Sequence, residues 1–466
     1  MPKIYIDWNI YSGLRNGKYP ELLQILETSS HLDLLYSINH VSDVKKSLYN
    51  EKENPFLKKD LEFLSKLTKD HCIFRHLNGE IQLGYQNPTI YFESLIEQDN
   101  LMDDLSIENL LNDLNVPEYK IWYDMIVDLF NSFEIDDEIF KVINPKYYPA
   151  IARNKDLNDL LRASGKLYSD LVHTEEYKRL RNQYQTLGIN SSFFKPNEDP
   201  FKKIEDILKR NAQTLPINGF VKRDNDAWFD EIIHKYLILD LSGYKSDKIK
   251  VNEKTSNTYL NILNDANHTA FASRCEFYIT NDQKNIEKAK ATYSHLNICT
   301  KVFKPLEFIT YYNSYLSLTY FEDSYSKIKE IISQTSLFKK SEAKSVSGEP
   351  VYEHVSKYYF FCFFNKIMLP KFYSIDESQL ILSRTHPDGS KYFISNKEIK
   401  CTIDILYNQF GSDKNGLNNY INGEIDSENI IIRQWEFESV KIDFIRLDGH
   451  FQLYFLFYNT NHHGIN

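Results

Sequence analysis

The sequence predicts an α/β fold: a mostly parallel sheet, interrupted by a long helical insertion and followed by a C-terminal α+β domain. Strand-like and helix-like segments alternate within the first fifty residues, and the alternation resumes near Phe229. The stretch between them carries apolar residues mainly at helical spacing. Alternation of this kind marks parallel strands joined by helical crossovers, which place functional residues at the carboxyl ends of strands.

The first strand is Lys3–Ile6, built from β-branched and aromatic residues, with Asp7-Trp-Asn9 as the turn after it. Pro20 suits the first position of a helix over Glu21–Glu27, where Leu22, Leu23 and Leu26 share a face. Leu32–Tyr36 reads as a second strand, and Ser37-Ile-Asn-His40 would start a helix carrying Asp43 about one turn in. In the insertion, Leu57, Leu61, Leu64 and Leu67 repeat helically, as do Ile121, Met125, Ile126 and Leu129; Leu157–Leu167 and Ile204–Leu208 also fit helices. The α/β pattern returns with a helix over Asp230–Leu241, ended by Gly243 at a left-handed C-cap position. A helix containing Asp265 then leads to a strand at Phe277–Thr280, a helix at Ile286–Tyr293 and a strand within Ile298–Phe303. Beyond residue 312 come a helix at Tyr325–Ile331 and strongly β segments, among them Val440–Leu447 and Phe451–Tyr458 around an Asp448-Gly449 hairpin turn. The expected organisation is therefore a core made of residues 1–50 and 230–311, an insertion over 51–229, and an accessory domain over 312–466.

With 466 residues and 14% aromatics, the chain can build two or three packed units. A formal charge of -10 excludes a globally basic nucleic-acid coat, although a local basic path needs only a few lysines. The five cysteines (Cys72, Cys275, Cys299, Cys362 and Cys401) have no paired spacing and read as reduced thiols of an intracellular protein. There is no basic start followed by an apolar stretch, and the run Tyr358–Phe364 is far too short to span a bilayer as a helix. A cytoplasmic protein with no membrane partner is expected.

Chemistry concentrates in a few places. Asp7 ends the first strand; Ser37, His40 and Asp43 are spaced three apart; Asp265 and His268 are also three apart; and Thr280-Asn281-Asp282 closes a later strand. Alone, each has an ordinary explanation: Asp7 as a turn residue, Asp43 as a solvated helical acid, Asp265 as a charge favoured by helix amides, Asp282 as a helix cap. Together, acids at strand ends and on one helix can converge, and converging carboxylates can hold a divalent metal against a phosphate. Lys284, Lys288 and Lys290 could meet a nucleic-acid backbone or simply form an exposed helix face, and Lys45-Lys46 are a similar case. Trp8 and Tyr11 could stack a base or pack in the core.

These motifs resemble a PIN-like nuclease domain over roughly residues 1 to 50 and 230 to 310. The resemblance implies a metal site at Asp7, Asp43, Asp265 and Asp282, binding Mg2+ or Mn2+, and cleavage of RNA more often than DNA. Asp43 stands where that family usually has glutamate, and the long insertion is atypical of it. Hard divalent ions prefer carboxylate oxygens and would neutralise charge on an attacked phosphodiester. Asn9, Ser37, His40, His268, Thr280 and Asn281 are the expected supporting residues, orienting the acids or a bound water. No Cys/His grouping recommends zinc. The leading expectation is a metal-dependent endoribonuclease, with a toxin or defence role implied by the resemblance and the extra domains; the alternatives are a DNA or flap nuclease and a noncatalytic nucleic-acid-binding scaffold. The C-terminal domain could recognise a protein partner.

Overall fold

A computed structural model describes residues 1–46, 56–75, 81–104, 175–186, 194–195, 198–210, 228–246, 258–317, 321–344, 350–370, 379–387, 394–427 and 429–458. The helices expected around 121–129 and 157–167 lie outside them. Four strands, β1 (Lys3–Ile6), β2 (Asp33–Leu35), β5 (Phe277–Ile279) and β6 (Lys301–Phe303), form a parallel sheet in the order β2-β1-β5-β6. The pairings Tyr5 with Leu35, Ile6 with Ile279 and Ile279 with Phe303 bring the carboxyl ends of the strands level. Strands β1, β2 and β5 are buried along their whole length, as befits parallel strands covered by helices on both faces.

One face carries α1 (Trp8–Arg15), α2 (Pro20–Thr28) and α3 (Ile38–Lys46), packed through Ile10, Leu14, Leu22 and Val41. The turn expected after Asp7 is instead the start of α1, because Ile10, Tyr11 and Leu14 give that segment a buried helical stripe. Helix α4 (Leu57–Thr68) follows and is buried through Leu61, Leu64 and Leu67, as its spacing predicts. The described part of the insertion is mainly but not wholly helical. An antiparallel ribbon of β3 (His71–Arg75) and β4 (Ile81–Tyr85) sits at its start, joined to the parallel sheet by a bridge between Tyr36 and Cys72. The described remainder comprises α5 (Pro88–Asp104), α6 (Glu176–Thr186) and α7 (Pro200–Arg210).

The core resumes with α8 (Trp228–Leu241), α9 (Thr258–Ala272) and α10 (Gln283–His295). Gly243 adopts φ 83, the left-handed conformation expected beyond α8. Helix α11 (Pro305–Tyr311) and a single π turn at Tyr312–Leu316 lead to α12 (Phe321–Ser333). The C-terminal unit is a seven-stranded sheet in the order β11-β12-β13-β10-β9-β8-β7, with α13 (Asn396–Phe410) contributing Ile399, Ile403 and Leu406 to its core. Its strands are β7 (Lys339–Lys344), β8 (Pro350–Phe360), β9 (Phe364–Leu369), β10 (Gln379–Ser383), β11 (Ile430–Glu436), β12 (Val440–Leu447) and β13 (His450–Phe457). Asp448 and Gly449 both have positive φ between paired Leu447 and His450, the two-residue turn that the sequence predicts. The aromatic run Tyr358–Phe364 forms the β8–β9 corner, and Phe360, Phe363 and Phe364 are fully buried there. Among the described residues, no helix is long and apolar enough to cross a membrane.

The two units are locked together at the amino ends of the parallel strands. Arg384 pairs with both Glu276 and Glu398, and Lys3 reaches Glu398 at 2.8 Å, with all four side chains at 5% exposure or less. Lys397 meets Asp33 at 2.9 Å, and Asp33 also meets His71 Nδ1 at 2.8 Å. Burial alone would raise the Glu398 carboxyl, yet Lys3 and Arg384 hold it well below the carboxylate range. The C-terminal unit is thus fastened to the pole of the sheet opposite to Asp7 and Thr280.

Candidate functional site at the carboxyl ends of the parallel strands

Asp7 leaves β1 with its amide bonded to Ile279 O at 2.9 Å, and its carbonyl accepts from Ile10 and Tyr11, which starts α1. Its side chain makes no full capping bond. Instead Oδ2 accepts from Thr280 Oγ1 at 2.8 Å, across the level ends of β1 and β5. Only 4% of Asp7 is exposed, and burial raises its pKa; His268 and Thr280 pull it back, while Asp43 pushes it further up.

Thr280 joins two of the expected acids, because its hydroxyl also accepts from the Asp282 amide at 3.3 Å. Asp282 is exposed and caps α10, with Oδ1 accepting from Lys284 N at 2.7 Å and Asn285 N at 3.0 Å. Asn281 and Asn9 are both exposed at this end of the sheet.

Asp43 is held by α9. Asn264 Nδ2 donates to its two carboxylate oxygens at 2.9 and 3.1 Å, and His268 Nε2 lies 2.9 Å from Oδ2. Behind His268, Nδ1 lies 2.7 Å from Tyr5 Oη, which is itself 2.6 Å from Ser37 Oγ. Tyr5 is fully buried, and burial pushes its hydroxyl well above its ordinary range, so it stays a phenol. Asn264, Asp265 and His268 come from one turn of one helix, so α9 both contributes an acid and holds another.

Asp265 is half-buried, and its carboxyl is raised well above the ordinary range. Burial is the largest cause; the charges of Asp7, Asp282 and Asp43 add to it, and Lys288 opposes them. All four expected acids therefore interact electrostatically, although they come from four separate elements. Among the described residues, no three His, Cys, Asp or Glu side chains stand close enough to form a ready-made metal-holding group. The donor chemistry nonetheless fits a hard divalent ion: every acid offers oxygen, and the Asp7 and Asp265 carboxyls are both raised, chiefly by burial and further by neighbouring acids.

His40 takes another part. Ser37 N donates to its Nδ1 at 2.9 Å, which fixes Nε2–H as the donor to Ile6 O at 2.6 Å. Burial lowers its pKa to about 3, assisted by His268, so the ring is neutral and braces the end of β1. It supports the end of the strand that carries Asp7.

The expected lysines separate. Lys290 is exposed and Lys284 donates to Ser246 O at 3.0 Å, but Lys288 is fully buried and so cannot touch a nucleic-acid backbone. Its Nζ meets Asp240 Oδ1 at 3.1 Å and lies 4.7 Å from the centre of the Tyr236 ring. Asp240 is also bound by Tyr177 Oη at 2.6 Å and by Arg181, both from α6 of the insertion. Tyr11 is buried in the core, whereas Trp8 is half-buried with its ring stacked near Tyr11 at 6.4 Å. Asn264, Tyr5 and Asp240 are not singled out by the sequence, and Lys288 reads there as a backbone contact or part of an exposed helix face. Lys288 had a signal: it falls on the stripe Asn285, Lys288, Thr292 at helical spacing, beside Ile286, Ala289 and Tyr293.

Compared with protein-family models, curated proteins and solved structures, the chain matches none of them.

Proposed function

We propose that this chain is a metal-dependent endoribonuclease of PIN-like design, with Asp7, Asp43, Asp265 and Asp282 as the acids that would hold Mg2+ or Mn2+. The observation that carries the reading is geometric: at the carboxyl ends of the strands Thr280 joins Asp7 to the Asp282 amide, and the helix that carries Asp265 also holds Asp43. Like charges gathered where burial already disfavours them call for a cation. When bound, the ion would supply charge neutralisation at a phosphodiester and an activated water.

The protein's own part can be stated by residue. Thr280 orients Asp7, α9 orients Asp43, and the amide ends of α10 fix Asp282. Lys288 offsets part of the charge on Asp265 from beneath, so the acids are not left wholly uncompensated before a cation arrives. Trp8 and Asn9, half-buried and exposed at the rim, are the groups that would meet a single-stranded substrate.

The test is cleavage of matched RNA and DNA strands by the purified full chain with Mg2+, Mn2+ or chelator. Metal-dependent RNA cleavage lost in both Asp7→Asn and Asp265→Asn supports the reading; equal cleavage by those variants rejects it. A second reading, a noncatalytic nucleic-acid-binding protein, is favoured by the hydrogen bonds that already engage Asp43 and Asp282. It expects nucleic-acid binding without cleavage and little effect of acid-to-amide changes on affinity.

A further inference from the structure

We propose that Asn264 and His268 are positioning residues that act through Asp43: they fix its carboxylate from α9 so that it acts as one unit with Asp265. The proposal deepens the metal-site reading and rests on it.

Asp43 sits on α3. Two side chains from α9 reach it, Asn264 with its amide nitrogen and His268 with Nε2, all at 2.9 to 3.1 Å. Both donors are spaced to straddle Asp265: one precedes it and the other follows one turn later. Any movement of Asp43 is therefore tied to the helix that carries Asp265.

The support behind His268 makes the contact specific. His268 is 1% exposed, so its ring does not reach a bound substrate, and its role must run through another residue. The bonds form a directed chain. Asn39 N donates to Ser37 Oγ at 3.3 Å, Ser37 Oγ can donate to Tyr5 Oη, Tyr5 Oη to His268 Nδ1, and His268 Nε2 to Asp43 Oδ2. Every hydroxyl and ring nitrogen in that sequence is satisfied when Nε2 carries the hydrogen. The chain begins on β1 and the start of α3, so the sheet itself sets the angle of the imidazole. Hydrogen-bonded partners behind a ligand typically change metal affinity by about 10–100-fold when removed.

The experiment measures Mn2+ binding to the metal-free full chain by electron paramagnetic resonance, alongside cleavage and thermal unfolding. His268→Leu and Asn264→Leu are expected to weaken Mn2+ binding by about tenfold or more. His268→Gln keeps a donor near the Nε2 position and is expected to restore most of the affinity, which a purely packing role would not produce. In an Asp43→Asn background, His268→Leu is expected to add no further loss, because its target is already gone. Full additivity of those two changes, or unchanged affinity in folded His268→Leu and Asn264→Leu, overturns the proposal. If the parent chain binds no Mn2+, or if Asp7→Asn leaves binding unchanged, the metal-site reading fails and this inference falls with it. Binding lost in Asp7→Asn but kept in the α9 variants rejects the positioning role alone.

Discussion

His268 and Asp43 lie 225 positions apart in sequence, yet Nε2 of one stands 2.9 Å from Oδ2 of the other. The contact joins the two pieces of the core across the insertion. It also changes what the acid is: Asp43 is not a loose charge on a surface helix but a carboxylate oriented by a second helix, beside an acid of that helix.

Ionising the Asp7 carboxyl is costly to the fold. On the proposed nuclease reading, Asp7→Asn is expected to reduce metal-dependent cleavage by about 10²-fold or more, since ligand interactions of this kind contribute several kcal/mol. It should also stabilise the fold at pH 8, because a buried acid with a raised pKa opposes folding when ionised. The sign follows from the raised value. The cost is absent at low pH, grows as pH rises above the ordinary carboxylate value, and is complete above the folded one. Denaturant unfolding at pH 4 and pH 8 should show the gain only at the higher pH.

Lys288 lowers the pKa of Asp265, so its removal should move that acid the other way. Lys288→Met is expected to shift the acid limb of the pH–rate profile to higher pH, while Lys290→Met, an exposed change on the same helix, leaves it in place. An unmoved limb in folded Lys288→Met would separate Lys288 from the site.

His40 should remain neutral far into the acid range, since burial, assisted by the neighbouring His268, holds the pKa near 3 against the opposing effect of its two backbone bonds. Nitrogen-15 spectra of histidine-labelled protein at pH 5, assigned by comparison with His40→Gln, should show His40 as a neutral ring protonated on Nε2. A histidine depressed in the fold destabilises it as pH falls from about 6.5 toward 3, so His40→Gln should flatten the loss of stability across that window.

Arg384 joins Glu276 and Glu398 beneath the parallel sheet, and none of the three is more than 5% exposed. Arg384→Met removes the guanidinium from buried Glu276 and leaves Glu398 to Lys3 and the N-terminus, and should cost about 3–5 kcal/mol at pH 7, read by chemical denaturation. For the same reason a fragment ending near residue 312 should fail to give the cooperative transition of the full chain. A stable, fully folded fragment would show that the lock is dispensable.

The alternation of apolar segments already specified β1, β2, β5 and β6, because buried parallel strands need continuous apolar runs and level ends. It also specified the Asp448-Gly449 turn, whose backbone requires residues tolerant of positive φ. The same reasoning failed at Trp8–Arg15, where a short helix followed the strand without a turn, and at β3–β4, where a ribbon interrupted helical spacing. Lys288 was misread for a physical reason: a lysine on a helix is usually solvated, and only an unforeseen carboxylate, Asp240, makes its burial tolerable.

By itself, the order of residues determined which acids end strands and which lie on helices, since local periodicity fixes elements and their ends. Tertiary structure alone decided that Thr280 binds Asp7, that α9 holds Asp43 and that Arg384 joins the two units. Those relationships depend on side-chain distances of about 3 Å between remote segments, and no local pattern encodes such a distance.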